Sequence, residues 1–253
     1  MTTVVMAHGA FCGGWAFERF RAPFEARGWR VEAPDLRGHG GHAAMQGVAG
    51  ASMADYAADL VRFCERLDEP PVLVGHSMGG LVCQMAARRV RPRAMVLLAP
   101  SPPWGVAGSS VEEAITAVGV NLLDPFFSGA VAPDRALMRR HSLDRVPRPY
   151  REQVLARVGP ESARALREVL NWWLDPFMTT SVGPGPLPAP GLVVAGGQDV
   201  VHPPATARRT AERIGAAYRE MPQMSHWLPA EPGWEAVADL ALDWLEGQAR
   251  AAA

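Results

Sequence analysis

Short apolar runs rich in β-branched residues alternate along this chain with stretches whose apolar positions recur every three to four residues. That alternation is the pattern of parallel βαβ units. The runs predict strands at 2–8, 29–35, 71–76, 94–99, 191–196 and 216–221. Between the second and third runs, Tyr56, Leu60, Phe63, Cys64 and Leu67 fall on one helical face. Ser52 and Asp55 form a capping-box pattern ahead of them, so 52–68 reads as a helix. A second stripe, Trp234, Val237, Ala238, Ala241, Leu242 and Leu245, follows Glu231-Pro232 and predicts a closing helix. From about 101 to 190 the rhythm breaks. No convincing strand is visible there, 110–122, 134–142, 149–158 and 161–174 carry a helical pattern, and Ser181 to Pro190 reads as a stiff linker. The fold class expected is α/β, with 1–100 and 191–253 as one core and 101–190 as an inserted helical segment and its return linker.

Composition narrows the function. The 253 residues carry 25 basic and 26 acidic side chains, a balance unlike the basic stripe of a nucleic-acid binder. Every basic residue is arginine, so chemistry that needs a side-chain amine is excluded. Three scattered cysteines, Cys12, Cys64 and Cys83, suit neither a disulfide scaffold nor a CxxC metal site and read as reduced thiols. The first residues lack a basic leader, and no apolar run approaches the ~18 residues of a membrane span. A soluble, cytoplasmic protein is expected.

The strongest chemical signal is Gly75-His76-Ser77-Met78-Gly79, set where a predicted strand ends and the helix-like LVCQMAARRV begins. A serine hydroxyl is a poor nucleophile. A sharp strand-to-helix turn lifts Oγ clear of the sheet, and glycines on both sides leave room for the strained backbone. So short a pattern also arises by accident, but the strand before and the helix after set this one apart. The helix that follows aims its first amides, that of Met78 included, at a developing oxyanion.

A nucleophilic serine needs a base, and the base needs an acid to orient it. Active groups in such sheets gather at the carboxyl ends of strands. Asp199 follows the run at 191–196 and His226 follows the run at 216–221, giving the chain order Ser77, Asp199, His226. The run at 94–99 is followed by Pro100-Ser101-Pro102-Pro103 and offers no competing carboxylate. After the first run, His8-Gly9-Ala10-Phe11 offers a tight turn whose Ala10 amide completes an oxyanion hole, in preference to Phe11. Phe11 also stands where a dinucleotide-binding loop would need glycine, so no nucleotide cofactor is expected. His8, His39 and His42 could be imagined around a metal, but no carboxylate or cysteine joins them at a familiar spacing. They are read as loop structure.

With these positions in hand, the chain resembles the α/β-hydrolase superfamily in His8-Gly9, Asp35-Leu36-Arg37-Gly38-His39-Gly40, Gly75-His76-Ser77-Met78-Gly79-Gly80, Asp199 and His226. The likeness spans almost the whole chain. More narrowly, His8-Gly9-Ala10-Phe11-Cys12-Gly13-Gly14-Trp15 is similar to the opening of the plant methylesterase and hydroxynitrile-lyase group and its bacterial relatives. The resemblance implies a serine hydrolase cleaving a carboxylic ester through an acyl-serine. It also implies a lid or cap over the site, with Trp104, Phe126, Phe127, Trp172, Trp173 and Phe177 as candidate walls beside Phe11, His76 and Trp227. Packing within the cap's own core is the alternative for those aromatics. Arg139, Arg140, Arg145 and Arg148 could receive an anionic acyl group or simply face solvent. Serine at position 77 disfavours the epoxide hydrolases and haloalkane dehalogenases, which use aspartate. Gly9 and Trp227 replace the threonine and lysine of the hydroxynitrile lyases. Thioesterases, C–C hydrolases, cofactor-free oxygenases and perhydrolases of this fold keep a similar triad, and a non-catalytic small-molecule binding protein could retain the pocket.

Overall fold

The structure is a computed structural model that describes residues 2–40, 47–108, 129–183 and 185–251. Its centre is a six-stranded sheet in the order β2-β1-β3-β4-β7-β8, in which every neighbouring pair is parallel. The four inner strands are β1 (Thr3–Ala7), β3 (Val72–His76), β4 (Ala94–Leu98) and β7 (Gly191–Gly196). All their residues are buried, which explains why they read as unbroken apolar runs rather than as alternating ones. The edge strands β2 (Arg30–Glu32) and β8 (Ala217–Met221) are partly exposed and carry charged side chains, as unpaired edges require. The six predicted strands are thus all present, the one at 191–196 with the expected bounds and the other five trimmed by one to four residues.

Helices cover both faces of the sheet. On one side α2 (Met53–Cys64), α3 (Met78–Val90) and α7 (Pro204–Ile214) pack onto Val5, Leu73, Met95 and Val193. On the other, α1 (Arg21–Ala26) and α8 (Trp234–Ala251) enclose Phe17, Phe20, Phe24, Val74, Val96 and Leu242. Each such fully buried side chain contributes about 1.5–3 kcal/mol relative to exposure. The capping box at Ser52 and Asp55 forms in both directions, with the Ser52 side chain on the Asp55 amide and the Asp55 carboxylate on the Ser52 amide. Among the described residues, no helix is long and apolar enough to cross a membrane.

Between β4 and β7 the chain leaves the sheet. The helix expected at 110–122 lies outside the described residues. The one expected at 134–142 is a single turn, α4 (Arg135–Leu137), continued by a π turn at Met138–Ser142. That at 149–158 is α5 (Arg148–Arg157). That at 161–174 is shortened to α6 (Ala163–Leu170), capped by the Ser162 hydroxyl and followed by a 3-10 turn at Trp172–Leu174. One expectation is corrected: this segment does contain strands. β5 (Ala130–Val131) and β6 (Glu161–Ser162) pair antiparallel, each too short to leave an alternating pattern. The insert packs through Met138, Leu143, Val146, Val154, Leu155 and Val158 against Cys12 and Ala16 of the loop after β1 and against Trp227.

Candidate active site

Ser77 stands at the carboxyl end of the central strand β3, at the turn into α3, with φ 53° and ψ −123°. A non-glycine residue held there is strained by about 1–3 kcal/mol, and such strain concentrates at functional sites. The turn is fixed on both sides: the Ser77 amide donates to the Leu98 carbonyl at 3.0 Å, and its carbonyl accepts from Gly80 at 2.9 Å and Ser101 at 3.0 Å. The flanking glycines are needed for close approach. A Cβ at Gly75 would lie 2.6 Å from the Gly79 carbonyl, and one at Gly79 would collide with the carbonyls of Ala7 and His8.

Asp199 and His226 come from loops beyond β7 and β8 and meet at 2.9 Å, His226 Nδ1 to Asp199 Oδ2, both buried. The carboxylate accepts at Nδ1, which leaves the Nε2 lone pair for a proton elsewhere. The other Asp199 oxygen accepts the amides of Val201 at 2.8 Å and His202 at 2.9 Å. Burial on its own raises the Asp199 carboxyl, but the facing His226 and these amides outweigh it and hold the group below its ordinary range. His76 donates its Nε2–H to the His226 carbonyl at 2.9 Å. Burial, with His226 beside it, lowers His76 to about 3 and keeps it neutral.

These groups open onto one cavity of about 370 Å³, lined by Ala10, Ser77, Met78 and His226. Of the expected substrate-contacting residues, Phe11, His76 and Trp227 also line it. Two do not. Trp104 and Trp172 stack edge-to-face on each other at 5.4 Å, outside the cavity wall. Trp173 and Phe177 are 57% and 84% exposed, and Phe126 and Phe127 fall outside the described residues. The expectation is therefore corrected for Trp104, Trp172, Trp173 and Phe177. Because α6 ends at Leu170, the residues it turns to the cavity are Leu166, Val169 and Leu170, and the tryptophans that follow are carried past it. Val131, Leu137 and Met138 supply the rest of the apolar wall from the insert. Arg139 pairs with Glu152 at 3.0 Å, Arg145 bonds the Gln198 side chain, and none of the four insert arginines lines the cavity.

Two polar features were not legible in the sequence. Ser101 Oγ and His202 Nε2 are 2.9 Å apart on the cavity wall, with the His202 ring 5.4 Å from that of His226. Behind the histidine loop, the buried Glu231 accepts the Ser225 amide at 2.7 Å. His8 and His39 make hydrogen bonds to neighbouring loops, and His42 lies outside the described residues. His8 Nδ1–H donates to the Gly9 carbonyl, and His8 Nε2 accepts the Leu36 amide. Burial and the adjacent His39 lower its pKa to about 4 and keep it neutral.

Glu231 yields a pH prediction. Burial, aided by Asp144 and Asp199, pushes its carboxyl up to about 7. A group raised on folding stabilises fully below its unfolded pKa, and that contribution is lost as pH rises through the folded value. Glu231→Gln keeps an oxygen for the Ser225 amide and removes the titration. Between pH ~4.5 and ~7 the parent should therefore lose on the order of 2–3 kcal/mol relative to the variant. Buried neutral His8 and His76 act in the opposite sense below pH ~6.5 but cancel in the difference. Denaturant melts of both proteins across that range check it, and a pH-independent difference would sink the assignment.

A parallel sheet with a strained serine at its central elbow and an acid–histidine pair at the neighbouring strand ends defines the α/β-hydrolase class. The chain belongs to the alpha/beta hydrolase family, whose profile matches residues 4–240. Among characterised relatives it is similar to Salicylic acid-binding protein 2 of Nicotiana tabacum, with 34% identity over 111 residues, 42% of either chain. It is also similar to a pyrethroid hydrolase of Sphingobium wenxiniae, with 34% identity over 84 residues, 32% of this chain and 28% of that one. Both matches span less than half of the relative. Over nearly full length the fold resembles an Arabidopsis methylesterase, with a TM-score of 0.74, 16% identity and coverage of 97% and 99%. It likewise resembles an esterase from Thermogutta terrifontis, with a TM-score of 0.72, 24% identity and coverage of 98% and 90%.

Proposed function

We propose that this protein is a serine carboxylesterase for small, largely apolar esters. The observation that carries the reading is the shared cavity: the strained Ser77, the Asp199-oriented His226 and the Ala10 and Met78 backbone converge on it. Ser77 Oγ attacks the ester carbonyl while His226 Nε2 takes its proton. The amides of Ala10 and Met78 hold the oxyanion. His226 returns the proton to the leaving alcohol, and water, deprotonated by the same nitrogen, releases the acid and restores Ser77. Among the described residues the Ala10 amide has no hydrogen-bond acceptor, whereas the Phe11 amide is already taken by Glu161, which supports Ala10 as the donor.

The insert acts as the lid and chooses the substrate, through the aliphatic wall of Val131, Leu137, Met138, Leu166, Val169 and Leu170. A volume of about 370 Å³ is at the small end of ligand pockets and favours short acyl and alcohol groups. The relatives named as an esterase and a methylesterase are consistent with an ester substrate. The test is a panel of p-nitrophenyl esters of increasing chain length, run beside mandelonitrile. Turnover should favour the short esters, and no hydrogen cyanide should form above the buffer rate, since positions 9 and 227 are glycine and tryptophan. Cyanide release without ester turnover would overturn the proposal.

A further inference from the structure

The insert and the loop after β1 are joined through one residue, Phe11. Its backbone takes φ 65°, a conformation that non-glycine residues rarely hold without outside support. Both of its peptide groups are gripped by the insert. The Phe11 carbonyl accepts from the Gly159 amide at 2.9 Å, and the Phe11 amide donates to Glu161 Oε2 at 3.2 Å. Phe11 directly follows Ala10, the oxyanion donor of the proposed reaction, so the clamped Ala10–Phe11 peptide adjoins, across the Ala10 Cα, the Gly9–Ala10 peptide that carries the donor and limits how that peptide can turn.

Glu161 is itself closely held. Its side chain is fully buried in β6, where an unpaired carboxylate would be prohibitively costly. Besides Phe11, its Oε2 receives His39 Nε2–H at 3.1 Å, while Oε1 receives the Tyr56 hydroxyl at 2.5 Å and the Ser162 amide at 2.8 Å. Burial alone would raise this carboxyl, but the His39, Tyr56 and Ser162 hydrogen bonds hold it below its ordinary range. The donors come from the loops after β1 and β2, from α2 and from the insert. A single ionised group therefore ties together four parts of the chain around the oxyanion loop.

We propose that Glu161 is a positioning residue for the oxyanion hole: by clamping the Phe11 amide from the insert, it holds the Ala10 amide in the direction catalysis needs. The inference rests on the serine-esterase reading above. The residue that anchors the insert thus also sets the donor. Glu168 provides the contrast. It too is a buried carboxylate of the insert, but it fastens the Met53 amide at the start of α2, at 2.7 Å, and makes no bond to the oxyanion loop.

The test compares Glu161→Gln with Glu168→Gln in the full chain, measuring steady-state hydrolysis of p-nitrophenyl acetate, inhibition by a trifluoromethyl ketone and thermal melting. An amide can accept at only one of its two ends, so Glu161→Gln strands part of the donor set. It should lower kcat by about 10²-fold, leave KM within about threefold, and weaken the trifluoromethyl ketone by a factor similar to the loss in kcat. Glu168→Gln should lower the melting temperature and leave kcat and the inhibitor within about threefold. If Glu161→Gln does not fold, Glu161→Asp, whose shorter side chain withdraws from the Phe11 amide, should show the same split. A folded Glu161 variant with near-parental kcat overturns the proposal, and so does a parallel loss in both Gln variants, which would mean the insert is merely anchored. Failure of the esterase reading is separate: the parent itself would show no turnover and no fluorophosphonate label at Ser77.

Discussion

Replacing Ser77 by alanine should lower ester turnover by about 10⁴-fold or more and abolish labelling by fluorophosphonates, with little change in the melting curve. The oxygen removed is the attacking atom of the proposed reaction. The alanine keeps the Cβ and the backbone hydrogen bonds to Leu98, Gly80 and Ser101 that hold the elbow. In the proposed reaction the serine, the histidine and the carboxylate act as a unit, so removing the serine should leave only substrate binding and the oxyanion donors, whose residual effect is far above water and far below the parent. Steady-state kinetics on the purified variant, with a melt as the control for folding, decide it. Near-parental turnover in a folded Ser77→Ala protein would mean that the cavity works through some other group.

The second large effect is expected at the acid. Asp199→Asn should cost about 10⁴-fold in kcat, because an amide NH2 facing His226 Nδ1 stabilises the wrong tautomer and puts the proton on the nitrogen that must accept one. Asp35→Asn is the control. Asp35 also sits at a strand's carboxyl end, but it is exposed and its Oδ1 accepts the Gly14 amide at 2.8 Å, so its change should appear in the melting temperature and leave kcat nearly intact. Kinetics and melts on the two variants together make the comparison. The reverse pattern would place the acid on the wrong strand.

The parts of this molecule that could be read from its sequence are those set by local rules. The buried inner strands carry unbroken apolar runs, the Ser52–Asp55 box announces α2, and Ser77, Asp199 and His226 each follow the end of a strand within five residues, so chain order was enough to place all three at the same end of the sheet. What depended on distant partners was not readable. β5 and β6 are two residues each and are defined by pairing across thirty residues. The burial of Glu161 follows from donors contributed by Phe11, His39 and Tyr56, none of them near it in sequence. Trp172 and Trp173 miss the cavity because the end of a helix, at Leu170, decides which side chains face inward. Apolar composition alone does not report direction.

The account depends most on Ser77 being the covalent nucleophile, and intact-protein mass spectrometry after exposure to a fluorophosphonate tests that directly. The account predicts a single stoichiometric adduct on the peptide containing Ser77, formed in step with loss of esterase activity and absent from Ser77→Ala. Full inactivation with the adduct on another residue, or esterase activity that persists once Ser77 is fully modified, would contradict it.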